Sequence, residues 1–312
     1  MECALVYNPV AGRGRAALLA REARERLEAG GWRVREGRSE HAGHVRELAA
    51  TLGREVPIVV VVGGDGTLRK AAEGALTLAA RPTLGFLPLG NANVMARELR
   101  IPLRTADAVE VLLAREERAL DVLEANGRVV LAMVGVGYDA RVVRMVGAAR
   151  QRPWLGKWYR VHADSLYAAT GAAALFEWDP PRFEVRADGN RLAGRYCAAV
   201  LSNVETYGKG WAVTPGADPT DGLIDFQARK RCVAPCGALA LAASSMRARV
   251  PNWLADYGRA SQLELQSDRP LVWQADGDLM EAAQRLVVRV RPQAIRVLAP
   301  PARALAGLPA AG

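Results

Sequence analysis

Short apolar runs alternate with longer amphipathic segments through the first third of the chain, and this alternation restricts the fold more than any other feature. The third run reads Ile-Val-Val-Val-Val, from Ile58 to Val62. A strand without polar positions is expected where helices cover both faces of a sheet, as in parallel α/β layers. We therefore predict an α/β N-terminal domain with a parallel sheet. Its strands are expected at Ala4 to Tyr7, Trp32 to Arg35, Ile58 to Val62 and Thr83 to Leu87, and its helices at Arg15 to Ala29, His44 to Leu52, Leu68 to Ala79 and Ala92 to Leu99.

The pattern changes beyond Asp121, where paired strands replace the alternation of strands and helices. Asn126-Gly127 and Asp188-Gly189 each separate two apolar runs, and both dipeptides favour two-residue hairpins because their residues adopt positive φ angles. We therefore predict a mainly antiparallel, β-rich C-terminal domain. The domains are expected at 1–124 and 125–291, and the tail from about 292 to 312 could pack back on the first. Further strands are expected at Gly222 to Gln227, Leu263 to Leu265, Leu271 to Gln274, Leu286 to Val290 and Ile295 to Leu298, with helices at Pro153 to Phe176 and Cys236 to Arg249.

Three turns at the carboxyl ends of the predicted parallel strands carry the residues of a nucleotide site. Gly63-Gly64-Asp65-Gly66-Thr67 follows the valine run, Asn8 to Gly14 follows the first strand, and Pro88 to Asn93 follows the fourth. Glycines let backbone N–H groups approach phosphate oxygens, and the helix that begins after the turn favours negative charge. Asp65 could hold a metal or orient a ribose or phosphate, and a tight turn with Asp65 as helix cap is the alternative. Ligands bind at this edge of open α/β sheets, so the three turns together predict a phosphate site.

Charge and cysteine content narrow the class of protein. The chain has 42 Lys and Arg against 33 Asp and Glu, a formal charge of +9, which favours anionic partners such as phosphates or an acidic membrane surface. The four cysteines, Cys3, Cys197, Cys232 and Cys236, have neither the spacing of a zinc site nor that of a disulfide framework. The N-terminus does not read as a secretory signal, and no apolar run approaches the ~20 residues that span a bilayer. We therefore expect a cytoplasmic protein, with peripheral contact at the inner membrane surface left open.

Taken together, the motifs resemble the diacylglycerol kinase catalytic-domain family, which includes bacterial soluble lipid kinases and sphingosine kinases. The matching segments, in family order, are NPVAGRG, GGDGT, LGFLPLGNANVMARELRIP, VGVGYDARVV, LGKWY, TPGADPTDGLIDF and WQADGDL. GGDGT also occurs in NAD kinases, whereas the Pro-Leu-Gly segment with its Ala-Arg-Glu-Leu helix is typical of the lipid kinases. The resemblance implies an enzyme that transfers the γ-phosphate of ATP, with magnesium, to a hydroxyl of diacylglycerol or a related lipid.

The resemblance also implies roles for individual residues. The general base falls at Asp276-Gly277-Asp278, with Asp278 at the acidic position where the family usually has Glu. Asp65 and Asp121 are implied to belong to the acidic network around water and metal. A carboxylate beside a bound alcohol accepts its proton as the oxygen attacks phosphorus, although from the residues alone a plain hairpin turn at Asp276-Gly277 stays open. The implied ATP contacts are Asn8, Pro9, Val10, Ala11, Gly12, Ser39, Gly63, Gly64, Asp65, Gly66, Thr67, Leu68, Arg69, Lys70 and Asn91.

A separate, structural magnesium site is implied by the segment from Asp218 to Leu223. The Asp221 carboxylate and the backbone carbonyls of Asp218 and Leu223 would supply three oxygen ligands, and magnesium prefers oxygen. An Asx-type turn before a strand explains the same residues without a metal.

Cations and aromatic residues concentrate between residues 141 and 160. Six cations, with no acid among them, are interleaved with Trp154, Trp158 and Tyr159. Such a segment suits contact with an anionic bilayer that supplies a lipid substrate, and a stripe packed into the core is equally open. Nucleic acid is not expected, because no helix-turn-helix, zinc-finger or RNA-binding signature accompanies the patch. A homodimer is left open.

Several positions depart from the family pattern and bear on activity. Arg69-Lys70 stands where the family commonly has Asn-Glu, Asn91 replaces Thr, Val94 stands at an often acidic position, and Ala132 replaces Asn. Extra cations beside a triphosphate favour ATP binding, whereas lost acids weaken metal coordination and misplace reacting groups. Two alternatives therefore stand beside the lipid kinase: a noncatalytic nucleotide- or lipid-binding relative, and an NAD kinase.

Overall fold

The computed structural model describes residues 1–152, 166, 169–171, 173–174, 179–208, 211–232 and 234–301, and every structural statement below concerns these residues. The chain divides into two compact units. The first comprises Met1–Val122 together with the chain from Arg291 onward, and the second comprises Leu123–Val290.

Strands and helices alternate in the first unit. Its strands lie side by side in the order second, first, third, fourth, and all run parallel. The valines of the third strand are fully buried, so the prediction of a parallel α/β domain is confirmed. The elements are β1 (Glu2–Tyr7), a 3-10 turn (Ala11–Gly14), α1 (Ala16–Ala29), β2 (Arg33–Arg38), α2 (His44–Leu52), β3 (Ile58–Gly63), α3 (Asp65–Ala75), β4 (Thr83–Pro88), α4 (Val94–Glu98) and α5 (Thr105–Ala114).

The direction in which successive strands are added to this sheet reverses between β1 and β3. β1 pairs with β2 on one side and with β3 on the other. Because crossovers between parallel strands are right-handed, α1 and α2 lie on opposite faces of the sheet; α1 packs against α5, and α2 packs against α3. Ligands of such sheets bind in the crevice beyond the carboxyl ends of the two diverging strands. The turns after Tyr7 and Gly63 border that crevice.

Antiparallel strands dominate the rest of the chain. The strands are β5 (Glu117–Ala125), β6 (Arg128–Val130), β7 (Met133–Val136), β8 (Phe183–Ala187), β9 (Asn190–Arg191), β10 (Ala198–Ser202), β11 (Thr206–Tyr207), β12 (Trp211–Ala212), β13 (Ile224–Arg229), β14 (Ala255–Ala260), β15 (Gln262–Leu271), β16 (Trp273–Ala275), β17 (Asp278–Leu279) and β18 (Ala283–Leu298). Helices α6 (Tyr138–Gln151) and α7 (Ala234–Ser245) accompany them. One sheet of the second unit has the order β14-β13-β10-β7-β16-β17, and each of its pairings is antiparallel. This confirms the β-rich second half.

One apolar core holds the second unit together. Val134, Leu201 and Phe226 reach it from the six-stranded sheet, and Leu263 and Leu265 reach it from β15. β15 itself pairs antiparallel with β8 and with the first part of β18. Side chains of both strand groups therefore share this core, as expected for two packed layers of sheet.

Both predicted hairpins are confirmed, whereas one strand prediction needs correction and two helices were missed. Asn126-Gly127 joins β5 to β6 and Asp188-Gly189 joins β8 to β9, with positive φ at all four residues. The expected strands at 286–290 and 295–298 are parts of the single strand β18. Helices α5 and α6 were not anticipated, and α6 starts directly after Gly137, whose φ of 78° ends the apolar run of β7. Within the predicted helix at 153–176, residues 166, 169–171 and 173–174 are helical, and the other positions lie outside the described residues.

The expectation that the cysteines form no disulfide is wrong for one pair. Cys197 and Cys232 are bonded, with their Cα atoms 6.2 Å apart. The pairing of β10 with β13 places Ala198 opposite Arg229 and so brings the two segments together, which spacing along the sequence does not reveal. Cys3 and Cys236 are buried free thiols, and burial raises the pKa of Cys3 to about 12.

Candidate active site

The turn after β1 approaches the turn after β4. The amide of Val10 donates to Asn8 Oδ1 at 3.2 Å, and the amide of Ala11 donates to the Asn8 carbonyl at 2.9 Å. Gly12 adopts a φ of +57°, and a Cβ on this residue would lie 2.3 Å from Leu89 Cγ. Both the backbone angle and the nearness of Leu89 therefore require glycine here.

The glycine-rich turn after β3 touches the same neighbour. β3 ends at Gly63 and α3 begins at Asp65, with Gly64 as the N-cap residue. The amide of Leu89 donates to the Gly63 carbonyl at 2.6 Å. A Cβ on Gly64 would lie only 3.0 Å from Gly90 Cα. The three turns that the sequence selected thus meet at one edge of the sheet.

Asp65 connects α3 to the start of α4. Its Oδ1 accepts the amide of Met95 at 3.0 Å, so the carboxylate caps the neighbouring helix, whereas Gly64 occupies the N-cap position of α3. Burial raises the pKa of Asp65 above its ordinary value of 3.8, and backbone hydrogen bonds, including those of Met95 and Val94, oppose that rise. The carboxylate therefore fixes the third turn and remains close to the first residues of α3.

Asn93 holds the third turn, although it was not among the predicted site residues. Its Oδ1 accepts the amide of Gly90 at 2.8 Å, and its Nδ2 donates to the Gly90 carbonyl at 2.9 Å. Asn93 is buried and has a φ of +49°, a conformation that Asn adopts more readily than most residues. Asn91, the predicted ATP contact in this turn, is exposed. An Asn directly before a helix was the available signal.

Three other predicted ATP contacts have different surroundings. Ser39 follows β2, is buried, and donates its amide to the Tyr7 carbonyl at 2.9 Å, which places it beside the first turn. Arg69 is buried too, and its guanidinium forms an ion pair of 2.9 Å with Glu73 one turn along α3. Lys70 is half-buried. The extra cation at Arg69 is therefore engaged within its own helix.

Asp121 lies buried in the first unit. Its Oδ1 accepts the amide of Gln293 at 2.7 Å, which ties β5 to the last strand of the chain. Its role in a water and metal network stays a prediction.

Asp276 and Asp278 belong to the tight hairpin between β16 and β17 in the second unit. Asp276 and Gly277 have φ angles of 48° and 85°, as a two-residue hairpin requires. The Asp276 carboxylate accepts three amides, those of residues 131, 132 and 133, at 2.8, 2.8 and 3.0 Å. Asp278 is exposed. Asp276 therefore positions backbone, and Asp278 has the accessibility that a general base needs.

Gln274 and Asp139 support this hairpin and were not among the predicted site residues. Gln274 Oε1 accepts the amide of Gly277 at 2.7 Å, and Gln274 Nε2 donates to Asp139 Oδ2 at 2.5 Å. Both side chains are buried, and a Cβ on Gly135 would overlap the Asp139 carboxylate. A polar residue inside a short apolar strand was the signal for Gln274. The two residues link the first turn of α6 to the turn that carries Asp278.

The predicted metal loop forms two Asx turns. Asp221 Oδ1 accepts the amide of Leu223 at 3.0 Å, and Asp218 Oδ1 accepts the amide of Thr220 at 3.0 Å and its hydroxyl at 2.7 Å. Carboxylate and carbonyl oxygens concentrated in one loop are a donor set that suits magnesium. The Asx turn and the metal site are therefore compatible descriptions of the same segment.

The positively charged guanidinium of Arg259 lies beside this loop. Arg259 Nε is 3.0 Å from Asp225 Oδ1, and another guanidinium nitrogen lies 3.8 Å from Asp221 Oδ2. Arg259 also donates to the Gly216 carbonyl at 2.9 Å. Burial raises the pKa of Asp225, and the Arg259 guanidinium acts against that rise. Part of the negative charge of the loop is therefore balanced by the protein itself.

The basic and aromatic segment at 141–160 is only partly described. Its first residues form α6, where Val142 and Val146 pack into a small apolar cluster with Leu166. Trp154, Lys157, Trp158, Tyr159 and Arg160 lie outside the described residues. No helix among the described residues is long and apolar enough to cross a bilayer.

Comparison with known proteins identifies both halves of the chain. Residues 2–125 match the diacylglycerol kinase catalytic domain, and residues 132–299 match the YegS C-terminal NAD kinase beta sandwich-like domain. A probable lipid kinase YegS-like protein of Pseudomonas fluorescens is 29% identical over 289 residues, which cover 90% of each chain. Its counterpart in Pseudomonas aeruginosa is 30% identical over 78% of this chain and 76% of the relative. A diacylglycerol kinase of Bacillus subtilis is 26% identical over 73% of both.

The fold has a close counterpart among solved structures. A putative diacylglycerol kinase from Bacillus anthracis superimposes with a TM-score of 0.80 at 18% identity, over 97% of this chain and 98% of the other. The sequence matches extend through both the nucleotide-site turns and the β-rich half. The chain is thus a lipid kinase that belongs to the diacylglycerol kinase catalytic-domain family, with a YegS-type C-terminal domain.

Proposed function

We propose that this lipid kinase uses ATP and magnesium to phosphorylate a hydroxyl of diacylglycerol or a closely related lipid. The observation that carries the proposal is the meeting of three glycine-containing turns at the carboxyl ends of β1, β3 and β4. Gly12 faces Leu89, and Gly64 faces Gly90, at distances that leave no room for side chains. Bare backbone at this edge of a parallel sheet suits the close approach of a triphosphate.

The phosphate groups of ATP would meet backbone amides rather than a large set of cations. The N-terminus of α3 supplies N–H groups and the positive end of the helix dipole. The proposed contacts are Asn8 to Gly12, Ser39, Gly63 to Lys70, and Asn91. Arg69 would act through the helix, because its guanidinium is paired with Glu73.

Asp278 is the proposed general base. As the lipid hydroxyl oxygen attacks the γ-phosphorus, its proton passes to the Asp278 carboxylate, the bond between γ-phosphorus and the bridging oxygen breaks, and ADP leaves. Asp276 and Gln274 hold the turn that carries this base. Bound magnesium would neutralise charge on the phosphate oxygens, and Asp65 and Asp121 are the carboxylates proposed for its network.

The acidic loop at 218–223 is proposed to bind a second, structural magnesium. Its ligands would be the Asp221 carboxylate and the carbonyls of Asp218 and Leu223, with Arg259 sharing the charge of the loop. Hard oxygen donors are the ligands that this ion prefers.

The direct test is transfer of labelled γ-phosphate into mixed lipid micelles that contain diacylglycerol, sphingosine, ceramide and phosphatidylglycerol, with magnesium present. The labelled product is expected to be that of diacylglycerol or a close analogue. Asp278→Asn should abolish transfer and leave ATP binding intact, whereas Asp65→Ala should weaken both. Omission of magnesium should remove the labelled product.

Two results would contradict the proposal. Transfer to a soluble alcohol with no labelled lipid would place the acceptor outside the lipid class. Full activity of the Asp278→Asn variant would assign the base to another residue. Asp268→Asn is a suitable control, since it changes an aspartate of the same unit whose side chain is 94% exposed.

A further inference from the structure

A surface of the second unit presents large apolar side chains beside arginines. Met246 is 77% exposed, Trp253 53% and Leu239 40%. Leu239 lies on α7, and Met246 follows in the turn directly after the helix ends at Ser245. Arg231, Arg247 and Arg249 are exposed around them. We propose that this Met246/Trp253 surface docks the enzyme on an anionic lipid bilayer.

The exposed apolar side chains project from a helix and a loop that are fixed by a small core and by backbone hydrogen bonds. Helix α7 packs through Cys236 and Ala240 against Val250 and Leu254 in a small core. Three hydrogen bonds close the turn after α7 and the turn before β14. The amide of Arg247 donates to the Ser244 carbonyl at 3.2 Å, the amide of Ala248 to the Ala243 carbonyl at 2.8 Å, and the amide of Leu254 to the Pro251 carbonyl at 2.8 Å. Buried Val250 and Leu254 thus fix the loop, and Met246 and Trp253 are left at its surface.

Helix α7 differs from an ordinary surface helix. Residues 233–246 contain no charged side chain, although Leu239 is exposed. A soluble helix normally covers its outer face with charged residues. Strand β12, which carries the half-exposed Trp211, contacts the same helix. Leu239 and Trp211 therefore add exposed apolar side chains beyond the loop.

Cations outnumber acids around this surface, and one of those acids, Asp256, pairs with Lys230 at 2.6 Å. Residues 226–255 include five cations and no acid. Arg231 lies over the ring of Trp253, 5.8 Å from its centroid, and Arg249 lies over the ring of Tyr257 at 5.2 Å. Arg247 pairs at 2.7 Å with Glu205, which belongs to another segment. Cations that ring exposed Trp and Met match a layer of anionic headgroups above acyl chains.

The occupant that fits best is a bilayer rather than a folded protein or a nucleic acid. Trp settles at the headgroup boundary because its ring is amphipathic, and Met adapts to a fluid apolar phase. The substrate class of the family is held in such a bilayer, so docking there would shorten the path of the lipid to the site. This proposal extends the lipid-kinase assignment and does not depend on which lipid accepts the phosphate.

The test is flotation of the full chain with sonicated vesicles, in the absence of ATP. Vesicles of phosphatidylcholine alone are compared with vesicles that also contain phosphatidylglycerol. The wild type is expected to float with the anionic vesicles, and Met246→Ser with Trp253→Ser to reduce the bound fraction at least about fivefold. Arg247→Gln with Arg249→Gln should reduce it similarly, since both arginines are exposed and their change leaves the core intact.

Matched controls replace an apolar side chain and two arginines that are exposed elsewhere on the protein. Leu18→Ser replaces an apolar side chain that is 65% exposed on α1, and Arg33→Gln with Arg104→Gln replaces two arginines whose side chains are 86% and 83% exposed. These variants should float like the wild type. Equal binding of all variants, or equal loss in all, would overturn the proposal.

A second readout separates this surface from the 141–160 segment. Brominated lipids quench the fluorescence of Trp residues that enter a bilayer, so Trp253→Phe with Trp211→Phe should remove most of the quenching. If quenching persists in that variant and disappears in Trp154→Phe with Trp158→Phe, docking occurs through the other segment and the proposal is wrong.

Kinase activity distinguishes failure of docking from failure of the proposed function. The Met246→Ser, Trp253→Ser variant should phosphorylate a short-chain diacylglycerol dispersed as monomers at the wild-type rate and lose activity only on vesicles. Vesicle binding in a protein that phosphorylates no lipid would refute the proposed acceptor and leave the docking surface standing. Loss of activity on monomers as well would show that these residues serve the site and would overturn the docking role.

Discussion

Two aspartates that stand two positions apart, Asp276 and Asp278, have different surroundings because of contacts with distant parts of the chain. Asp276 receives the amides of residues 131–133, which lie up to 145 positions away in sequence. Those residues are buried, so water is not readily available as a hydrogen-bond acceptor for their amides. Asp278 points into an exposed position. Sequence alone could place both acids in one turn, but it could not separate the positioning residue from the candidate base.

Replacement of each aspartate by asparagine should therefore have opposite consequences. Asp276→Asn keeps a residue that tolerates positive φ and replaces one accepting oxygen with a donor, which should cost roughly 1 to 3 kcal/mol of unfolding free energy. Asp278→Asn should change stability by less than about 0.5 kcal/mol and remove phosphate transfer. Urea unfolding and a lipid-kinase assay of both variants check this. A stable, fully active Asp276→Asn protein would contradict the positioning role.

The raised pKa of Asp65 predicts how the effect of its substitution on stability varies with pH. Burial raises the folded pKa above the ordinary value of 3.8, so the protonated carboxyl stabilises the fold below pH 3.8, and this contribution is lost as the pH rises through the folded pKa. Asp65→Asn cannot titrate and still offers an oxygen to the amide of Met95. The variant should gain stability relative to the wild type as the pH rises from 3.8 to neutrality, while kinase activity falls. Thermal unfolding from acid to neutral pH measures the difference, and a difference that does not vary with pH would refute it.

Among the elements, the turns that the sequence predicted best are those whose geometry depends on local residues. Asn126-Gly127 and Asp188-Gly189 form the expected hairpins because both residue pairs accept positive φ. The three glycine-containing turns after the parallel strands were predicted for the same reason. Their mutual contacts, such as that between Gly64 and Gly90, depend on the order of strands in the sheet. That order is a property of the folded domain and cannot be predicted from local sequence.

Two glycine substitutions test the contact between turns. A Cβ on Gly90 would lie 2.7 Å from Gly64 Cα, whereas a Cβ on Gly66 would meet nothing within 4 Å. Gly90→Ala should therefore cost about 1 to 3 kcal/mol through overpacking and weaken ATP binding about tenfold by spreading the turns. Gly66→Ala lies in the first turn of α3 and should leave stability unchanged or raise it by up to about 1 kcal/mol. Thermal unfolding compares the two variants, and equal losses of stability would contradict the contact. Calorimetric titration with ATP measures the affinity of the Gly90→Ala variant.

The architecture of the whole molecule was predictable to the extent that it follows from periodicity. Apolar strands without polar positions required a layered parallel sheet, and the change to hairpin signals required an antiparallel second half. The Cys197–Cys232 disulfide was not predictable, because it depends on the register between β10 and β13. Helix α6 was missed since it starts after Gly137 within a segment that reads as a strand. Local patterns thus specified the layers, and the contacts that adjust the site arise only when distant segments meet.

The net charge of the whole chain predicts how activity on membranes depends on salt. A formal charge of +9 attracts anionic vesicles at long range, and the Debye length falls from about 30 Å at ~0.01 M salt to about 3 Å at ~1 M. With phosphatidylglycerol in the vesicles, the apparent KM for the lipid should therefore rise steeply with sodium chloride while kcat stays nearly constant, because salt weakens encounter and leaves the site unchanged. With phosphatidylcholine vesicles the KM should depend little on salt. Steady-state kinetics at saturating ATP measure both series, and a parallel fall of kcat in the two would show that salt acts on the site itself.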